Sequence, residues 1–268
     1  MDVACNIDEA TPGAPELILD LLVANGEMLP VRALCRAGAL IGLSESAIRV
    51  ALTRLAQQGK ITRGARGFYA LNFSGPALSR AVDDWQHKEP HTVAWSRRWL
   101  GVHDAGVLRS DKTGWRRHSL ALALRGFRLF RPGLHIRPDN LAGGATSVRN
   151  QLLDLGLAPQ AVVFRLDALD EAREAQALAL WEVETLPKEY KRLQQALKLS
   201  TRRFGSADLE TAVRESLLLG RAVIGQLIRD PLLPPEMIAP KARQSLTKEM
   251  KAYQRRARVL WRKWLALP

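Results

Sequence analysis

Apolar residues recur at helical spacing from Glu16 to Asn25, where Leu17, Leu21 and Leu22 share a face and Asn25-Gly26 ends the run. Pro30 opens a second helix at a first-turn position that needs no N–H donor, and the pattern runs through Val31, Leu34 and Leu40 to Gly42. Ser44 caps a third helix, Glu45 to Gln58, with Gly59 as its C-terminal cap. Lys60-Ile61-Thr62, the basic glycine-flanked turn Arg63-Gly64-Ala65-Arg66-Gly67 and Phe68-Tyr69-Ala70-Leu71 predict a β-hairpin. A further helix is expected from Ser74 to Glu89, carrying Leu78, Ala81, Val82 and Trp85, with a linker at His87-Lys88-Glu89-Pro90.

The pattern then changes to short strands alternating with helices. Trp99 to His103 reads as a strand, Thr113 to Gly126 as a helix, and Phe127–Arg131 and Gly133–Arg137 as two strands meeting at Pro132-Gly133. Ala145 to Leu155 is a helix ended by Gly156, and Ala161-Val162-Val163-Phe164-Arg165-Leu166 predicts a buried strand. The order β-α-β-β-α-β is that of the split βαβ, or ferredoxin-like, unit. Four helices follow: Leu169–Trp181, Pro187–Leu199, Ser206–Arg229 and Ala242–Leu265. The expected class is therefore α+β. A flexible tail (1–15) precedes a winged helix-turn-helix domain (16–90), a ferredoxin-like βαββαβ middle domain (91–168) and a helical C-terminal domain (169–268).

Charge sharpens this picture. The 268 residues are 47% hydrophobic, enough for real cores and too much for a disordered chain. Lys and Arg number 40 against 27 Asp and Glu, a net charge of +13 that favours polyanionic partners. Residues 1–90 are nearly neutral, whereas 91–168 and 169–268 each carry +7. Within the first segment, Arg32 to Arg66 holds seven basic residues against Glu45 alone. Lys241 to Lys263 holds nine against Glu249 alone. The two cysteines, Cys5 and Cys35, exclude a disulfide framework and a cysteine zinc site. No apolar run reaches the roughly 18–20 residues of a membrane helix, and the acidic start lacks the basic lead of a signal peptide, so a cytoplasmic location is expected.

The third helix can be tested at about 100° per residue. Ile48, Ala51, Leu52 and Leu55 fall on one side, and Ser46, Arg49, Val50, Thr53 and Gln57 on the other. An apolar back with short polar and Arg side chains opposite is what a helix lying in the major groove requires. The expected DNA-binding residues are Ser44, Glu45, Ser46, Arg49 and Thr53, with Arg54 reaching phosphate from the flank and Arg63 and Arg66 in the wing. Glu45 is placed to accept from a cytosine amine or to favour the helix dipole. A single winged helix reads few base pairs, which predicts a homodimer on a pseudo-palindromic operator in double-stranded DNA.

Enzyme signatures are absent: no Walker loop, no Gly-x-Gly-x-x-Gly after a strand, no His-Glu-x-x-His and no Gly-x-Ser-x-Gly occurs. The five histidines, His87, His91, His103, His118 and His135, show no metal spacing, so neither catalytic residues, nor metal, nor cofactor is expected. The alternatives are a metal-dependent nuclease and an effector-free architectural DNA binder. The first rests on Asp104, which follows the first strand of the middle domain as in the small nucleases of CRISPR adaptation.

The segment Gly42-Leu43-Ser44-Glu45-Ser46-Ala47-Ile48-Arg49-Val50-Ala51-Leu52-Thr53-Arg54-Leu55 resembles the recognition region of the PaaX family. Trp95 to Asp104, Phe130-Arg131-Pro132-Gly133-Leu134-His135-Ile136-Arg137-Pro138 and Arg229-Asp230-Pro231-Leu232-Leu233-Pro234-Pro235-Glu236 resemble its middle and C-terminal blocks. The chain departs from the family after Pro235, where Ile238-Ala239-Pro240-Lys241-Ala242-Arg243 replaces a Trp-Pro-Gly-like segment. The resemblance implies a transcriptional repressor of a phenylacetate-type aromatic-acid catabolic operon. It implies a homodimer released from DNA by an aryl-coenzyme A, in the family's namesake phenylacetyl-CoA. Such an effector needs cations for its phosphates and an apolar slot, for which Arg131, His135, Arg137, Arg202, Arg203 and Lys241 are the candidates.

Overall fold

The computed structural model describes residues 11–72, 85 and 91–267. The expected helix at 74–89 and most of the expected tail lie outside these residues, apart from Trp85, which is buried. The chain forms two compact units: residues 1–79, 192–225 and 248–268 make one, and residues 80–191 and 226–247 the other. The residues read as a helical C-terminal domain are thus shared between the two.

In the first unit, α1 (Ala14–Asn25), α2 (Val31–Ala39) and α3 (Glu45–Gln57) pack around Leu17, Ile18, Leu34, Ile48 and Leu52. Burying each such side chain contributes roughly 1.5–3 kcal/mol. Gly59, at φ +66, takes the left-handed turn that ends α3, and Lys60 N–H reaches back to the Leu55 carbonyl at 3.0 Å. The expected hairpin is β2 (Ile61–Arg63) and β3 (Phe68–Leu71), joined through a 3-10 turn at Ala65–Gly67. A strand not expected from the sequence, β1 (Leu29–Pro30), pairs with β3, so that the sheet order is β1-β3-β2, antiparallel throughout. Two residues are too few for a periodic signal, and Pro30 sits where an edge strand tolerates a missing donor.

The same core takes in residues from far along the chain. Val213, Leu217 and Leu218 of α8 (Leu209–Ile228) and Trp264 of α9 (Lys241–Leu265) are buried with Leu17 and Ile48 in one cluster. Asp20 of α1 pairs with Arg221 of α8. Burial pushes the Asp20 carboxyl up, against the lowering pull of that guanidinium.

The second unit carries the order β4 (Trp99–His103), α4 (Lys112–Leu124), β5 (Arg128–Arg131), β6 (Leu134–Pro138), α5 (Gly144–Leu155), β7 (Val162–Leu166), α6 (Glu171–Leu178). Its four-stranded sheet runs β5-β6-β4-β7, antiparallel. Leu100 and Val102 of β4 meet α4 and α5, while Trp99 joins Trp95, Ile136, Trp181, Leu233 and Ile238 in a separate cluster. Trp95 meets Trp99 edge-on at 5.3 Å and Trp181 stacks on it at 6.0 Å. Gly101 leaves room for Phe164 of the neighbouring strand, whose ring lies 2.6 Å from where a Cβ would stand. The expectation of a buried strand at 161–166 needs correction. β7 is an edge strand with Val162 and Arg165 exposed, because it has one ladder partner and its apolar run is only partly covered.

The block Asp230-Pro231-Leu232 folds as a turn held by buried polar groups. Asp230 accepts from Tyr190 through Oδ2 and from Leu232 N–H through Oδ1 at 2.7 Å, with the Arg243 guanidinium 3.6 Å away. Asn140 donates to the Leu232 carbonyl at 2.7 Å and Arg137 to the Pro231 carbonyl at 3.3 Å. Gly126, at φ +73, lies where a Cβ would strike Pro231.

Candidate nucleic-acid interface

Ser44 starts α3 by accepting from Ala47 N–H at 3.2 Å, and its hydroxyl lies 2.9 Å from that of Ser46. Ile48, Ala51, Leu52 and Leu55 are buried. Ser46, Arg49, Val50, Thr53 and Gln57 are exposed, in the division the helical wheel requires. Arg54 is exposed on the same helix, and Arg63 and Arg66 are exposed on the wing. Arg66 has φ 55, a left-handed conformation that residues other than glycine rarely adopt.

Glu45 and Arg49 form a pair that the sequence reading did not consider. Arg49 Nε and Nη2 donate to Glu45 Oε1 at 2.7 and 2.6 Å, and this hydrogen bond raises the Arg49 pKa. Thr53 Oγ1 donates to the Arg49 carbonyl at 3.2 Å. One edge of the guanidinium is therefore held on the carboxylate while the other faces solvent. The i,i+4 spacing was visible in the sequence and was the available signal.

The six effector candidates are divided between the two units. Arg202 and Arg203 belong to the first unit, where Arg203 pairs with Glu215. Arg131, His135, Arg137 and Lys241 belong to the second. There Arg131 stacks over Phe130 at 4.7 Å and donates to Gln176. Arg137 is fully buried and committed to the fold, donating to the Pro138 carbonyl at 3.0 Å, Asn140 Oδ1 at 2.9 Å, the Pro231 carbonyl and the Arg125 carbonyl. Burial, seconded by Arg125, pushes its pKa down to about 9. Lys241 is exposed at the start of α9.

His135 lies elsewhere, beside Asp104. Its Nδ1 stands 3.3 Å from Asp104 Oδ2, and burial pushes its pKa down against the raising field of that carboxylate. Asp104 is itself buried, with Oδ2 2.9 Å from His118 Nε2. Ala158 N–H donates to His118 Nδ1 at 3.2 Å, which places the ring hydrogen on Nε2, donating to Asp104. Trp115 stacks on His118 at 5.2 Å, and Arg109 lies over Trp115 at 4.8 Å.

Three helices, a small antiparallel sheet and an outward polar face on the third helix fit a winged helix-turn-helix. The family model for PaaX-like protein matches residues 16–75, the stretch from α1 through the wing, and this match supports transcription regulation. The resemblance read from the sequence holds over that segment. No curated protein matches the chain. Among solved structures, the chain is similar to the uncharacterized protein Rv0674 from Mycobacterium tuberculosis, at 24% identity and a TM-score of 0.55, over 92% of this chain and 98% of that chain. That likeness concerns the fold alone. Among the described residues, no helix is long and apolar enough to cross a membrane.

Proposed function

We propose that the protein is a DNA-binding transcriptional repressor of an aromatic-acid, phenylacetate-type catabolic operon, released by an aryl-CoA. The observation that carries the reading is the exposed face of α3, with Arg49 and Thr53 outward over a buried Ile48-Leu52-Leu55 back, inside the segment matched by PaaX-like proteins. Ser46, Arg49 and Thr53 meet base edges in the major groove, Arg54, Arg63 and Arg66 meet the backbone, and Ser44 fixes the start of the helix. The protein works in the cytoplasm as a homodimer on a pseudo-palindromic operator. The aryl-CoA shifts the balance between operator-competent and incompetent forms by its differential affinity for the two.

No enzymatic step belongs to this reading. Asp104, the residue on which a nuclease would rest, faces His118 inside the second unit, which supports a packing role.

DNA upstream of the flanking genes, incubated with the protein and Mg²⁺, gives a shifted and uncut band that phenylacetyl-CoA releases and phenylacetate does not. Cleavage would select the nuclease. Binding without response to any aryl-CoA would leave an effector-free DNA binder.

A further inference from the structure

The longest helix holds a second charged face. On α9, Lys248, Lys251, Arg255, Arg258 and Arg262 follow one another at intervals of three and four residues and fall within about 80° of one side of the helix. Tyr253, Ala257 and Trp264 occupy the opposite side and are buried. Lys248, Arg255, Arg258 and Arg262 are exposed, and among the described residues the side chains of Arg255, Arg258 and Arg262 make no ion pair or hydrogen bond. The one acid of the helix, Glu249, lies off the stripe.

This arrangement works against the helix. Like charges at i,i+3 and i,i+4 repel, and no Asp or Glu of the helix falls within the stripe. Cations in the last turn are explained by the helix dipole, which accounts for Arg262 but not for Arg255 or Lys248, two and four turns earlier. The stripe lies on a rigid mount. Trp264, in the same helix, is part of the core that contains Leu17 and Ile48, and Arg36 of α2 donates to the Trp264 and Leu267 carbonyls. The stripe and the outward face of α3 therefore belong to one compact unit.

We infer that this face of α9 is a second DNA contact, seated on the sugar-phosphate backbone of duplex beyond the base-reading α3. It deepens the DNA-binding reading and rests on it. The 14-residue rise from Lys248 to Arg262 is about 21 Å, and a strand of duplex presents a phosphate roughly every 3.4 Å along its axis, so all five cations find anions along one stretch. The stripe consists of Lys and Arg alone, with no aromatic or amide side chain among its five members, which suits a contact that is independent of sequence.

The test uses the full-length protein and a 40-base-pair duplex of random sequence, followed by fluorescence anisotropy across a salt series. The triple variant Arg255→Ala/Arg258→Ala/Arg262→Ala lowers the slope of log affinity against log salt by roughly 2–3, since each neutralised phosphate contributes about 0.9. Its melting temperature does not fall, because the side chains are exposed. A control of equal charge loss, Lys188→Ala/Lys191→Ala/Lys198→Ala on the exposed side of α7 (Thr185–Arg203), leaves the slope near the wild-type value. The triple Lys variant of the three arginines retains the wild-type slope, as a charge contact requires. An unchanged slope in the alanine triple, or an equal fall in the α7 control, overturns the proposal while the DNA-binding reading stands. Binding of the wild type to anionic phospholipid vesicles but to no duplex overturns both.

Discussion

The guanidinium of Arg36 lies 4.4 Å above the ring centroid of Trp264, and its Nη2 donates to the Trp264 carbonyl at 2.6 Å while Nη1 donates to the carbonyl of Leu267. Residues 228 and 231 positions apart are held by one side chain. The helix next to α3 is thereby tied to the last turn of α9, where the helix itself leaves carbonyls short of donors and the Trp264 carbonyl also accepts from Leu267 N–H at 3.2 Å. Arg36→Ala removes a cation–π contact and charge-assisted hydrogen bonds together, a loss of about 2–3 kcal/mol. The expected result is a melting temperature several degrees lower. Arg36→Lys recovers little of it, since an ammonium does not reproduce the planar fork. Differential scanning fluorimetry of the two variants checks both outcomes.

On the proposed DNA-binding reading, the Glu45 pair governs how Arg49 meets DNA. Glu45→Gln removes a negative charge from the outward face and frees the guanidinium edge that Oε1 now holds. Affinity for random duplex rises while preference for the selected site falls. Arg49→Ala lowers that preference by roughly 10- to 100-fold at one position of each half-site. Binding-site selection followed by titration of single-base variants gives both numbers, and an unaltered preference in Arg49→Ala removes α3 from the groove.

Asp230 is the anchor of the 230–232 turn. Asp230→Ala strands the Tyr190 hydroxyl, the Leu232 N–H and the Arg243 guanidinium without their buried acceptor, at a cost of about 3–5 kcal/mol. Asp230→Asn retains one acceptor and loses less. Urea denaturation followed by tryptophan fluorescence reads the loss in the unit that holds Trp95, Trp99 and Trp181.

Acid weakens the second unit through His135. Its pKa is lower in the folded protein than in the unfolded chain, burial outweighing the attraction of Asp104, with the neighbouring His118 and Arg109 adding to the fall. The unfolded chain therefore binds more protons as pH drops below about 6.5, and stability falls with it. His135→Gln flattens the dependence of melting temperature on pH between about 6.5 and 5, whereas a profile that keeps its slope would assign the sensitivity elsewhere.

The hydrophobic pattern determined most of the secondary structure and one face of the candidate site. The 3.6-residue period places Ile48, Leu52 and Leu55 inward and Arg49 and Thr53 outward wherever α3 packs, because the geometry of one helix is local. Strands β4, β5 and β6 were legible for the same reason, their short apolar runs and the Pro132-Gly133 turn lying within a few residues. What joins distant residues was not legible. Nothing in the spacing of Asp104, His118 and His135 brings them together; the antiparallel pairing of β4 with β6 and the packing of α4 do so. Arg137 read as a free cation because charge is a property of a residue, whereas burial is a property of what closes over it, here Asn140 and the 230–232 turn. In the same way, the sequence marked residues 169–268 as helical, and only tertiary contacts sent 192–225 and 248–268 to the unit of α3, where Trp264 joins its core. Helix formation is settled within a few turns of chain, while the choice of which apolar face meets which depends on total buried area across the whole molecule.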